Sequence, residues 1–225
     1  MKTDGINLQS IREKAKELSK YIIRTPTTKL NSQLISELLG NSEVFLKLEC
    51  LQHTGTFKAR GALSVARQIP INEKKFGITA ASAGNHAIAS AWAAKQLGMS
   101  AHVVMQSSAN PFRIKAAKAQ GAKITLKEAG APLFAEAERL VKDEKRTFIH
   151  PFEGMHTSLG ASGVGLELME DILNLDAVIV SVGGGGLISG VAAAVKEINP
   201  NCKVYGVEPV GAVSYTHLTL PTKRI

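Results

Sequence analysis

Long apolar runs are missing from this chain, and no stretch approaches the roughly 20 consecutive apolar residues that a membrane-spanning helix needs. Insertion into a bilayer is excluded on that reading. Cysteine is scarce. Cys50 and Cys202 stand far apart, without the paired spacing of zinc sites or redox motifs, and both are expected to be buried thiols. Aromatics make up only 5% of the residues, and the lysines and arginines behind the net charge of +8 are dispersed among acids on helix faces. That pattern argues against a nucleic-acid partner, although a positive balance suits small anionic molecules. The N-terminus, MKTDGINLQSIREKAKELSK, carries both signs of charge and lacks the apolar stretch and cleavage site of a signal peptide. A cytoplasmic protein is expected.

What is present is average globular composition, with 44% hydrophobic and 20% charged residues over 225 positions, enough for one or two compact domains. Short apolar runs alternate with helical patterns, the signature of an α/β protein with parallel sheets. The strand candidates are 44–50, 76–82, 101–106, 122–128, 147–152, 176–182 and 203–209. A helix over about 7–22 places Leu8, Ile11, Ala15, Leu18 and Ile22 on one face. The next, about 32–39, is closed by Gly40 in the manner of a left-handed cap. The Ala-rich run after His86 suits a helix packed closely on a sheet. The last thirteen residues, VSYTHLTLPTKRI, have no helical periodicity where a helix is due, and 213–225 is read as a non-native tail.

Three segments carry chemistry. In VSVGGGGLISGVAAAVKE (180–197), Gly183, Gly184, Gly185 and Gly186 lie between a Val/Ile-rich strand and an amphipathic helix. Glycine admits positive φ and close approach, and a helix start offers unpaired N–H groups, so the loop suits a phosphate. It is neither a Walker loop nor a good dinucleotide fingerprint. In HTGTFKARGA (53–62), Lys58 sits between Phe57 and Ala59, where desolvation would lower its pKa and make it nucleophilic toward a carbonyl. In AASAGNH (80–86), Ser82, Ala83, Gly84, Asn85 and His86 turn a strand into a helix and offer amide hydrogens to a carboxylate. Taken singly, the three also read as a tight turn, a surface lysine and a helix cap.

Taken together they resemble the threonine/serine dehydratases, fold-type-II pyridoxal-phosphate enzymes related to tryptophan synthase β chain. The resemblance runs from about Ile6 to Ala212 through RTPTTKLNSQL, LKLECLQHTGTFKARGA, AASAGNHA, HPFEG, SVGGGGLISG and VYGVEP. It implies two interleaved three-layer α/β/α domains with mainly parallel sheets, the large one (1–72 and 153–212) incomplete and the small one spanning 73–152. It further implies that Lys58 holds pyridoxal 5'-phosphate as an imine and then acts as acid and base. Gly183 to Gly186, with Leu187, would take the cofactor phosphate. Asn85 would bond the ring hydroxyl, Phe57 would pack near the ring, and Ser82 to His86 would hold the carboxylate of an amino-acid substrate.

The activity implied is β-elimination from threonine or serine to a 2-oxo acid and ammonia, in a homo-oligomeric full-length protein. The alternatives are β-replacement of the cysteine-synthase kind, serine racemisation, an inactive fragment, or a nucleotide-binding module. Racemases of this group usually carry a serine where this chain has Ala83, and a methyl group moves no proton. HTSLGASGVGLEL (156–168) departs from the Gly-Gln-Gly-Thr pattern of many biosynthetic dehydratases. Glu208 is the candidate ligand for a divalent cation, whereas His150, Glu153 and His156 have no recognised metal spacing. Family members continue further, which predicts an exposed sheet edge, an open cofactor site, poor stability, and weak or absent turnover.

Overall fold

The computed structural model describes residues 5–210; the tail at 213–225 lies outside the described residues. Helix α1 (Leu8–Leu18) starts at Asn7, whose side chain accepts from Ser10 N while Ser10 Oγ accepts from Asn7 N. Its buried apolar stripe is Ile11 and Leu18. The helix ends four residues earlier than its periodicity suggests. Tyr21 N and Ile22 N bond back to Leu18 O, and this turn lays both side chains against the core.

Strand β1 (Thr27–Lys29) pairs antiparallel with β2 (Phe45–Lys47), bracketing α2 (Gln33–Leu38). Gly40 after α2 has φ +63°, the left-handed conformation expected of it. β1 has no sequence signature, being three residues without an apolar side chain. The strand expected over 44–50 stops at Lys47, and Glu49–Leu51 form a single 3-10 turn that leaves Cys50 exposed, contrary to expectation. Cys202 is buried as expected.

After α3 (Lys58–Ala66) comes a regular α/β run: β3 (Ile78–Ala81), α4 (Asn85–Gln96), β4 (Ala101–Gln106), α5 (Pro111–Ala119), β5 (Lys123–Lys127), α6 (Ala131–Glu144) and β6 (Thr147–Phe148). The four strands form one parallel sheet in the order β5-β4-β3-β6. All of β3 and all but the last residue of β4 are buried, as expected of strands covered on both faces. Alternate side chains divide between two layers. Ala80 and Val103 join the cluster built by α3, α4 and α5, while Ala81 and Val104 meet Leu133, Ala137 and Leu140 of α6. β6 is shorter than its apolar run because His150 folds the following residues into a turn.

The chain continues through α7 (Met155–Asp171), β7 (Ala177–Ser181), α8 (Gly186–Ile198) and β8 (Lys203–Val207). β7 and β8 pair in parallel from Ala177↔Lys203 to Ser181↔Val207. Val178 and Val180 face the core, whereas Ile179 on the other face is 70% exposed. The glycines of α7 have a packing role. A Cβ on Gly160 would lie 2.5 Å from Arg60 O of α3, one on Gly165 2.7 Å from Val191 O, and one on Gly190 of α8 2.4 Å from Ser158 O. Interior glycine costs a helix about 1 kcal/mol relative to alanine; here it admits backbones that otherwise clash.

A buried charge network ties these elements together. Arg60, fully buried on α3, makes one bidentate fork to Glu49 (2.8 and 2.9 Å) and another to Glu167 of α7 (2.6 and 2.9 Å). Lys47 of β2 reaches Glu167 at 2.8 Å. Two cations and two carboxylates balance, so each buried charge has a partner. No described helix is long and apolar enough to cross a membrane.

Candidate active site

Lys58 is the first residue of α3, which follows a short irregular stretch with Thr54 at φ +64° and Gly55 at φ +72°. Its Nζ donates to Pro151 O at 2.5 Å and lies 5.2 Å from the Phe57 ring centre. Burial lowers its pKa from the ordinary lysine value, which enlarges the neutral, nucleophilic fraction. The cleft around it is lined by Phe57, His86, His150, Thr157 and Gly186, so three of the chain's segments meet there.

His86, on the first turn of α4, is almost wholly buried and donates from Nε2 to Ile149 O at 2.8 Å. That carbonyl can only accept, which fixes the ring proton on Nε2. Burial, with Lys58 and His150 close by, holds its pKa at about 4, although the Ile149 bond acts the other way. His86 is therefore neutral at pH 7. As pH falls below the unfolded value of about 6.5, the unfolded chain takes up the proton first, so stability is lost down to about pH 4 and levels off below it. We expect about 3 kcal/mol over that window. Urea unfolding at stepped pH checks this: the profile of His86→Gln should lack that component, and superimposable profiles would refute it.

His150 Nδ1 accepts from Phe152 N (3.3 Å) and Glu153 N (2.9 Å), and its ring meets Phe152 edge-on with centres 4.6 Å apart. Burial lowers its pKa. This turn presents the Pro151 carbonyl to Lys58 and lays Phe152 over the glycine loop. A Cβ on Gly184 would lie 2.1 Å from the Phe152 ring, and one on Gly186 2.6 Å from Phe152 O. Gly183 has open space around it and Gly185 sits at φ +84°, just before α8. Leu187 packs partly buried among Val164, Val180 and their neighbours, which leaves its backbone as the part available to a ligand.

Of the remaining sequence candidates, Gly84 is buried, Asn85 is exposed at the start of α4, and Ser82 accepts from Gly84 N at 3.2 Å. Ala83 packs against the α4 core. Glu208 follows β8, half-buried, and neither carboxylate oxygen has a hydrogen-bond partner among the described residues. No group of three or more His, Cys, Asp or Glu suited to a metal occurs among the described residues. Pro151, Phe152 and Thr157 were not singled out from sequence, and His150 was weighed there only as a metal ligand. HPFEG was legible only as a stretch of resemblance, and a backbone carbonyl leaves no mark in a sequence.

The donor set fits pyridoxal phosphate: a dehydrated amine for its aldehyde, and side-chain-free backbone at a helix start for its phosphate. The family model described as "Pyridoxal-phosphate dependent enzyme" matches residues 18–223. The chain is 45% identical over 186 residues to phenylserine dehydratase of Ralstonia pickettii, covering 83% of this chain and 57% of that protein. It is 41% identical over 207 residues to the catabolic L-threonine dehydratase of Staphylococcus aureus, covering 90% and 58%. The chain thus spans less than three-fifths of the length of these relatives. Maize serine racemase superposes with a TM-score of 0.87 at 35% identity, over 92% of this chain and 62% of that one. The paired α/β layers with parallel sheets are the fold-type-II arrangement, and the chain belongs to the pyridoxal-phosphate dependent enzyme family.

Proposed function

We propose that this chain carries the lysine and the phosphate loop of an ammonia-lyase that converts a hydroxy amino acid, such as threonine or serine, to a 2-oxo acid and ammonia. The supporting observation is the partly buried Lys58 amine with its lowered pKa, in one cleft with Gly186 of the glycine loop. Lys58 would hold the cofactor covalently, Gly183 to Gly186 and the Leu187 N–H its phosphate, Asn85 its ring hydroxyl, and Phe57 would flank the ring. When bound, pyridoxal phosphate supplies an electron sink for charge developing at the substrate α-carbon.

The chain's own residues do the rest. The loop from Ser82 to His86 holds the substrate carboxylate through the N–H groups at the start of α4 and the Ser82 hydroxyl, Ser82 N being bonded to Val104 O and Gly84 N to Ser82 Oγ, so that the α-carbon faces Nζ. Neutral Lys58 takes the α-proton and, as an ammonium, returns it to the departing hydroxyl. The Pro151 carbonyl holds the amine in place between these transfers. Ala83 offers no proton on the opposite face, which favours elimination over racemisation.

The segments 1–72 with 153–212, and 73–152, are proposed to act as large and small domains closing on this cleft. For the assembled protein we propose a homo-oligomer, because Leu34, Leu38 and Leu39 leave an apolar face on and beside α2 exposed; sedimentation at micromolar concentration showing only monomer would remove that proposal. Glu208 alone does not make a cation site, and no step is assigned to one.

The direct assay supplies pyridoxal phosphate with L-threonine, L-serine or L-phenylserine and measures 2-oxo acid and ammonia, with and without sulfide. Equimolar 2-oxo acid and ammonia are expected, unchanged by sulfide. Cysteine formed from serine and sulfide, or D-serine without 2-oxo acid, would overturn the assignment.

A further inference from the structure

We infer that Arg113 is a substrate-binding residue, the charged counter-ion of the substrate carboxylate; this rests on the reading of residues 82–86 as the carboxylate loop. The guanidinium of Arg113 lies directly over Gly84, where an added Cβ would come 2.5 Å from Nη1 and 3.2 Å from Cζ. Gly84 is buried in the middle of that loop, and the end of the flexible Arg113 side chain rests against it where it has no side chain of its own.

Among the described residues Arg113, like Arg12 on α1, makes no ion pair and no side-chain hydrogen bond, whereas Arg24, Arg60, Arg67, Arg139 and Arg146 each have a carboxylate. Its position is also electrostatically unfavourable. Arg113 stands in the first turn of α5, just after the Asn110 cap and Pro111, where the helix dipole repels a cation. An anion between α5 and the start of α4 would answer both helix ends and the guanidinium together. The loop amides alone offer partial charges; Arg113 adds a full one with fork geometry suited to a carboxylate. Because it comes from α5 rather than α4, binding would also join these two elements.

The test compares L-threonine with L-threoninol, which lacks the carboxylate, on the full chain loaded with pyridoxal phosphate. Dissociation constants come from calorimetry, and the backbone amide shifts of Gly84 and Asn85 give a readout independent of turnover. Arg113→Met should weaken L-threonine about tenfold to a hundredfold, the range for a hydrogen bond to a charged group. Its affinity for L-threoninol should not change, and Arg113→Lys should recover part of the loss. Arg113 is exposed, so Arg113→Lys should leave the thermal unfolding midpoint unchanged, and Arg113→Met, which relieves the repulsion by the α5 dipole, should not lower it. If Arg113→Met still prefers L-threonine as strongly as the unaltered chain does, the loop amides suffice and the role of Arg113 is overturned while the carboxylate loop stands. If the unaltered chain does not prefer L-threonine to L-threoninol, the loop reading fails and the assignment of Arg113 falls with it.

Discussion

Replacing Arg60 by leucine is expected to lower the unfolding free energy by about 3–5 kcal/mol, the usual cost of removing one partner from a buried ion pair. The reason is what remains. Arg60 has no solvent exposure and satisfies both oxygens of Glu49 and both of Glu167. Without it Glu167 keeps Lys47 at 2.8 Å, whereas Glu49 keeps only the Thr25 hydroxyl at 2.5 Å and is left as a partly buried carboxylate with no cation. Set against a total stability of about 5–15 kcal/mol, such a loss leaves much of the chain unfolded or nearly so. Arg60→Lys should fall between, because an ammonium cannot make two planar forks. Urea titration followed by circular dichroism measures both. A loss below about 1 kcal/mol for the leucine variant would mean that the network contributes little.

Lys58→Met should have the opposite profile, with turnover lost and stability kept. Burial lowers the pKa of Lys58, so folding opposes its protonation. The sign follows from linkage: that penalty is fully present below the folded pKa and fades as pH rises toward the unfolded value of about 10.4. Methionine fills similar volume without the charge, at the cost of leaving Pro151 O without its donor, and stability should stay within about 1 kcal/mol. Turnover in the proposed elimination should fall by at least about 10⁴-fold, because in that proposal one amine would serve as covalent anchor, base and acid. Steady-state assay of 2-oxo acid beside a thermal melt checks both halves. A variant that retains a tenth of the activity would remove Lys58 from the chemistry.

The parts legible in sequence were those with strong local signals. The alternation of apolar runs and helical patterns gave the parallel sheet, because β3 and β4 are buried on both faces and so read as continuous apolar segments. The four glycines leading from β7 into the first residue of α8 were visible because few other structures call for that run. What was not legible depends on distant contacts. β1 exists only because β2 pairs with it, and β6 stops where the His150 ring caps a turn. Cys50 is exposed because the chain leaves β2 in a 3-10 turn, a conformation its apolar neighbours do not announce. In the site, Lys58 stood out by its setting, but the Pro151 carbonyl, the Phe152 ring over Gly184 and the guanidinium over Gly84 arise from folding alone.

The central claim is that Lys58 is the residue that holds the cofactor. Its most direct test is to incubate the chain with pyridoxal phosphate, reduce with borohydride, digest, and map the adduct by mass spectrometry, with Lys58→Ala as control. A phosphopyridoxyl group confined to Lys58 and absent from the variant is expected. Labelling spread over surface lysines, and unchanged when Lys58 is replaced, would contradict it.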